Sequence, residues 1–158
     1  MSITGVSGGS ASESGTQAVT ITITDDDTTP TVTLTSSASS IAENSGSSIT
    51  LTATMSTTDS SNVTIAFSTS GTASEGTDYG NISNITISAG NTTGTTSFTP
   101  TNDSTVEGSE SAVIAISSVS GGNAIENGTQ TKTITITDDE VAPTVTLTSS
   151  GTTIDEAS

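Results

Sequence analysis

An all-β fold, a two-sheet antiparallel sandwich, is what this sequence predicts, and three observations carry the prediction. Apolar residues alternate with Thr at period two in run after run. Loops rich in Gly, Asn and Ser separate the runs, and no stretch keeps a helical period over a useful length. In chain order, Val32 and Leu34 open the pattern between Thr31, Thr33 and Thr35. Ile49, Leu51, Ala53 and Met55 then share one parity while Thr50, Thr52 and Thr54 take the other. A Thr57–Asn62 loop leads to Val63, Ile65 and Phe67, and a Ser70–Gly76 loop follows. Ile85 and Ile87 make a short run, with an Ala89–Gly94 loop behind them. Ile114 and Ile116 mark a strand over 110–118, Asn127-Gly128 is a turn signal, and Ile134 and Ile136 mark the strand over 130–137. Thr is β-branched and tolerates the solvent face of a sheet, so Thr/Ile alternation is strand chemistry and not low-complexity filler. About seven short strands in one unit make the sandwich Ig-like, with a thin aliphatic core and Phe67, Tyr79 and Phe98 as its aromatic members.

The chain also repeats itself. Residues 1–45 align without a gap to residues 114–158, and 28 of those 45 pairs are identical. Gln17–Ser37 and Gln130–Ser150 form the clearest stretch, 113 residues apart. A self-match of that length marks a tandem array with a repeat of about 113 residues. The expected organisation is 1–27 as the C-terminal strands of a preceding repeat, 28–140 as one complete sandwich, and 141–158 as the first strand of a following repeat.

Composition excludes several functions. Ser and Thr make 67 of 158 residues, Lys and Arg together one, and His and Cys are absent. Nucleic-acid binding needs cations that this chain lacks. Without His, Cys, Trp or a basic cluster, neither a nucleophile–base pair nor a sugar-stacking platform can be assembled, so no enzyme is expected. The longest apolar run, Ala112–Ile116, is far too short to span a membrane, and an export signal is expected outside this window.

The carboxylates are placed selectively. Within the central repeat they include Glu43, Asp78, Asp103, Glu107, Glu110, Asp138, Asp139 and Glu140, all at predicted strand ends and loops. Chain reversals in an antiparallel sandwich alternate between its two ends, so several of these acids gather at one pole. Like charges a few ångströms apart repel, and such a cluster is stable only when something cationic joins it. With one lysine in a chain of net charge -16, the cation comes from solution. Hard oxygen donors without His or Cys favour Ca²⁺ over zinc or copper. Asp59 and Glu75 fall outside this pattern and read as loop residues that merely aid solubility.

These residues also carry a family resemblance. The order Ile41-Ala42-Glu43-Asn44-Ser45-Gly46, Gly71-Thr72-Ala73 through Gly76-Thr77-Asp78-Tyr79, Asn102-Asp103 through Glu107 to Glu110, and Ile134-Thr135-Ile136-Thr137-Asp138-Asp139-Glu140 resembles a Calx-β domain. Such domains are Ig-like sandwiches found in sodium–calcium exchangers, in an integrin cytoplasmic tail, and in tandem in very large bacterial surface proteins. The resemblance implies Ca²⁺ as the bound ion. Carried over motif by motif, its ligands are Glu43 after the first strand, Asp78 of the Asp-Tyr pair, Asp103, Glu107 and Glu110, and the terminal triplet Asp138, Asp139 and Glu140. Two departures stand out. Asn102 occupies a position where paired aspartates often begin, and Glu140 replaces the Asp27 of the preceding copy, which weakens a second ion more than the first.

The function expected is that of a calcium-binding extender module in a long secreted surface adhesin or extracellular fibre, with Ca²⁺ stiffening the module ends. Its partners are neighbouring repeats of the same protein, and its location is extracellular or at the cell surface. One alternative is a self-assembling filament subunit, in which residues 1–27 of one chain and 141–158 of the next complete a sandwich by strand exchange. Another is ice binding by Thr-rich faces such as Thr31/Thr33/Thr35 and Thr133/Thr135/Thr137, which ordinary sheet twist opposes.

Overall fold

Alternation in the sequence becomes alternation of burial in three dimensions. The computed structural model describes residues 1–153, 155 and 156. Its named strands are β1 (Thr31–Ser36), β2 (Ser40–Ala42), β3 (Ile49–Met55), β4 (Val63–Gly71), β5 (Ile85–Ile87), β6 (Thr93–Phe98), β7 (Glu110–Ser120), β8 (Ile125–Glu126) and β9 (Thr131–Thr137). They form one sheet in the order β6-β3-β1-β8 and a second in the order β2-β9-β7-β4-β5. Val32, Leu34, Leu51 and Ala53 of the first sheet face Val63, Ile65, Ile114 and Ile134 of the second, and all are buried. The Thr residues between them point out. Thr33 and Thr54, and Thr35 and Thr52, lie opposite each other across the β1–β3 pair. Thr54 and Thr52 in turn face Thr93 and Thr95 of β6.

The sandwich departs from the sequence reading at its edges. Two pairings are parallel, β1 with β8 and β2 with β9. Asn127-Gly128 does not make the tight two-residue hairpin that its sequence suggests. That turn requires positive φ at both residues, and among the described residues only glycines adopt it. Between β7 and β9 the chain instead crosses to the other sheet, where Ile125 N donates to Pro30 O and Asn127 N to Val32 O. The Gln130 side chain fixes this detour, its Oε1 accepting Leu34 N and its Nε2 donating to Asn127 O.

At β4 the chain must turn sharply across the end of β7. Gly71 does so with φ +118°, and a Cβ there would lie 2.1 Å from Ser111 O. The same carbonyl accepts the backbone N–H groups of Thr72 and Ala73, which sends the following loop over the pole of the sandwich. Tyr79 anchors that loop. It is fully buried and stacks on Phe98 with ring centroids 4.7 Å apart, while Phe67, at the register shift between β4 and β7, is only half-buried.

The N-terminal segment that matches the sandwich in sequence echoes its geometry locally. Ser2 and Ala18 pair antiparallel, as Ala115 and Thr131 do in the central unit. Gln17 N donates to Glu13 Oε1, as Gln130 N does to Glu126 Oε1. Burial, however, is not reproduced. Ile21 and Ile23 are 74% and 92% exposed where Ile134 and Ile136 are buried, and Val145 and Leu147 are exposed where Val32 and Leu34 are buried.

Candidate metal centre

Five segments bring the acids to one pole. Glu43 starts a 3₁₀ turn, Glu43–Ser45, directly after β2, and Gly46 ends it in the left-handed conformation. Asp78 lies in the β4–β5 loop, Asp103 and Glu107 in the β6–β7 loop, and Glu110 at the first position of β7. Asp138, Asp139 and Glu140 follow β9 without a break. The only lysine, Lys132, sits near the other end of β9, about 20 Å away at strand rise.

Six of the eight sequence-predicted residues fall into two groups. Carboxylate oxygens of Glu43, Asp138 and Glu140 lie within 4.8 Å of one another, as do those of Asp78, Glu107 and Glu110. Asp103 and Asp139 belong to neither group. Asp103 N donates to Glu43 Oε1 at 3.4 Å, while its own Oδ1 accepts Thr105 N. Asp139 Oδ2 accepts the side-chain amide of Asn44 at 2.6 Å.

Asp138 joins the two groups mechanically. Its Oδ2 accepts Glu107 N at 2.9 Å and Gly108 N at 2.7 Å, and its Oδ1 accepts Glu140 N at 3.1 Å. The last bond is a local Asx turn, and Asp27 N makes the same bond to Asp25 Oδ1 in the preceding copy. Glu43 is only 7% exposed, and Glu140 Oε2 is buried with no hydrogen-bond partner.

Electrostatics record the crowding. Asp138 is pulled down to about 2, first by the Gly108 amide and then by its bond with Glu140. Glu140 is pushed up to about 7, first by the Asp138 side chain beside it, then by desolvation and the charges of Asp139 and Glu43. Glu107 and Glu110 are also raised, by desolvation and next by Asp78.

These shifts set opposite slopes of stability against pH. Glu140, raised in the folded state, stabilises fully below its ordinary value of 4.5, and that contribution is lost as pH rises toward 7. Asp138, lowered, stabilises above 3.8, and its contribution is lost as pH falls toward 2. In chelator-treated protein the melting temperature is therefore expected to peak between these ranges, near pH 4 to 5, and to fall toward neutrality. A Glu140→Gln variant should flatten the neutral limb, and an equal decline in both proteins would count against this assignment.

Two residues read as mere solubilisers are structural. Asp59, at the opposite pole, is 7% exposed, accepts Ser61 N at 2.8 Å and Asn123 N at 2.7 Å, and is lowered chiefly by the Asn123 bond. Glu75 accepts Thr69 Oγ1 and Ile82 N, bracing the loop that carries Asp78. The Asp59–Ser61 turn had a local signal in sequence. Asn44, which engages Asp139, had none.

The family model described as Calx-beta domain matches residues 15–140. No curated protein matches the sequence. Among solved structures, an apo-form Calx CBD1 domain is similar at 20% identity and TM-score 0.56, covering 70% of this chain and 99% of that one. CBD12 from CALX1.2 is similar at 21% identity and TM-score 0.54, covering 64% of this chain and 42% of that one. The calcium binding domain CBD12 of CALX1.1 is similar at 22% identity and TM-score 0.50, covering 64% and 41%. Among the described residues, no helix is long and apolar enough to cross a membrane.

Proposed function

The chain belongs to the Calx-beta domain family, and from that premise we propose that it is a calcium-binding structural module of a long extracellular or surface protein, its ends stiffened by Ca²⁺. The observation that carries this reading is the buried, unpartnered Glu140 Oε2, set among the carboxylates of Glu43 and Asp138 with the only lysine far away. The donor set is all oxygen, which suits a hard divalent cation with six to eight oxygen ligands. Glu43, Asp138 and Glu140 would hold one ion and Asp78, Glu107 and Glu110 a second, with Asp103 beside the first group. A bound cation supplies the positive charge that makes full ionisation of Glu140 compatible with folding. A solved neighbour, CBD12 of CALX1.1, is itself described as a calcium binding domain.

The stalk role is supported by the repeat and by the seam between copies. Pro30 is buried and its carbonyl accepts Ile125 N, so only Thr28 and Thr29 separate the preceding triplet from the anchored start of β1. A cavity at that seam is lined by Asp25 and Asp27 on one side and by Asp59 and Asn123 on the other. Val141-Ala142-Pro143 repeats the same spacing after Glu140. A linker this short and Pro-ended restricts swing between modules. The exposed Ile21, Ile23, Val145 and Leu147 are then the surfaces that the remaining strands of neighbouring repeats cover.

Chelation tests the reading. Taking free Ca²⁺ from about 100 times its dissociation constant to zero should remove about 2.7 kcal/mol. That corresponds to a melting temperature lower by about 10 °C for a domain of this size. Solution scattering from several linked repeats should show a more flexible rod in chelator, and an unchanged melt with an unchanged profile would overturn the proposal.

A further inference from the structure

Of the three residues of the terminal triplet, all predicted as ligands from the sequence, the middle one, Asp139, is the one that the structure sets apart. Asp138 and Glu140 enter the group with Glu43, whereas Asp139 gives its Oδ2 to Asn44 Nδ2 at 2.6 Å. A carboxylate only accepts hydrogen bonds, so the nitrogen face of the Asn44 amide must be the one turned toward it. Asn44 is held for this contact by backbone. It is the middle residue of the 3₁₀ turn Glu43–Ser45, stopped by Gly46 at φ +61°, and its neighbour Glu43 points into the group.

The group that results has three carboxylates and no fourth. Asp138 already accepts three backbone N–H groups, and Glu43 Oε1 accepts Asp103 N, so of the three side chains only Glu140 keeps an oxygen, Oε2, that is buried and unpartnered. Calcium affinity in oxygen sites follows the number of charged ligands and the rigidity with which they are held. Asp139 is the adjacent acid that could add to the count, and it is occupied elsewhere.

We propose that Asn44 is a positioning residue that withholds Asp139 from the Glu43–Asp138–Glu140 group and so sets its calcium affinity low. This rests on the calcium reading above. The sequence gives the idea a second expression, because the position 113 residues after Asn44 is Ala157, which has no side-chain amide. A repeat beginning with Ala at that place has no such latch, so successive modules of the array would fill at different calcium concentrations, the unlatched ones first.

Titration of the 158-residue protein with CaCl₂ by calorimetry tests this in a two-by-two set: wild type, Asn44→Ala, Asp139→Asn and the double variant. Asn44→Ala should tighten binding roughly tenfold by freeing a fourth carboxylate. Asp139→Asn alone should stay within about threefold of wild type, and the double variant should return to that level. A merely structural role for Asn44 would instead weaken binding, or shift it equally with and without Asp139, and either result overturns the proposal. So does an Asn44→Ala isotherm identical to wild type. Melting of the calcium-free variants confirms that each is folded. A wild type with no saturable calcium binding at all overturns the calcium reading itself, which separates the two failures.

Discussion

Phe98→Ala should lower the unfolding free energy by about 3–5 kcal/mol, the cost of emptying a filled aromatic site. Phe98 is fully buried at the end of β6, and its ring stacks on Tyr79 at 4.7 Å with 30° between planes. The loss is a large share of the 5–15 kcal/mol that holds a typical domain together. It also reaches the acidic pole. Tyr79 fastens the loop carrying Asp78, through Gly80 N to Thr99 O and Thr101 N to Asp78 O, on both sides of the stack. Without Phe98 that loop loses its floor, so the Asp78–Glu107–Glu110 group should loosen before the other. Urea unfolding with and without Ca²⁺ checks this. The variant's midpoint should fall in both conditions, and its gain from calcium should be smaller than that of wild type. A variant within 1 kcal/mol of wild type would show that the stack is dispensable.

Asp138→Ala should have the largest effect on calcium, a loss of at least a hundredfold in affinity at the pole as a whole. The reason is its double duty. The side chain belongs to the Glu43–Asp138–Glu140 group, and it also holds the backbone of Glu107 and Gly108, from which the second group is built. One substitution therefore removes a proposed ligand from one group and the scaffold from the other. Calorimetric titration should show both binding events weakened. If only one weakened, Asp138 would be a ligand without the bridging role.

The sequence foretold the fold where side chains carry the pattern. β1, β3, β4, β5, β7 and β9 all announce themselves through apolar residues at every second position, chiefly Ile, Val and Leu, because those residues fill the space between the sheets. β6 does not, since its inward positions are Gly94, Thr96 and Phe98. At Gly94 a Cβ would approach Ile85 Cγ2 to 2.6 Å, so the close passage of β5 excludes the residue that would have revealed the strand. β8 is two residues long and is placed by the side chain of Gln130, a contact no local pattern encodes. Likewise the crowding of acids at one pole was legible, because strand ends alternate between poles. Their division into two groups was not, because it depends on Asp138 reaching Glu107 N and Gly108 N across 31 and 30 residues. Asp59 was misread for a similar reason, its partner Asn123 lying 64 residues away.

The octapeptide Pro30–Ser37 recurs letter for letter as Pro143–Ser150. In the complete unit it forms the start and body of β1, pairing with β3 on one side and β8 on the other. In the tandem array proposed above, nothing in that strand would distinguish one repeat from the next, so during folding the second octapeptide would be chemically acceptable to the earlier sandwich. Misassembly between neighbours is a known hazard of repetitive chains, and synthesis from the N-terminus limits it. On that proposal each β1 would leave the ribosome ahead of its own β3 and before its identical successor, so order of emergence, more than sequence, would decide which copy each sandwich keeps.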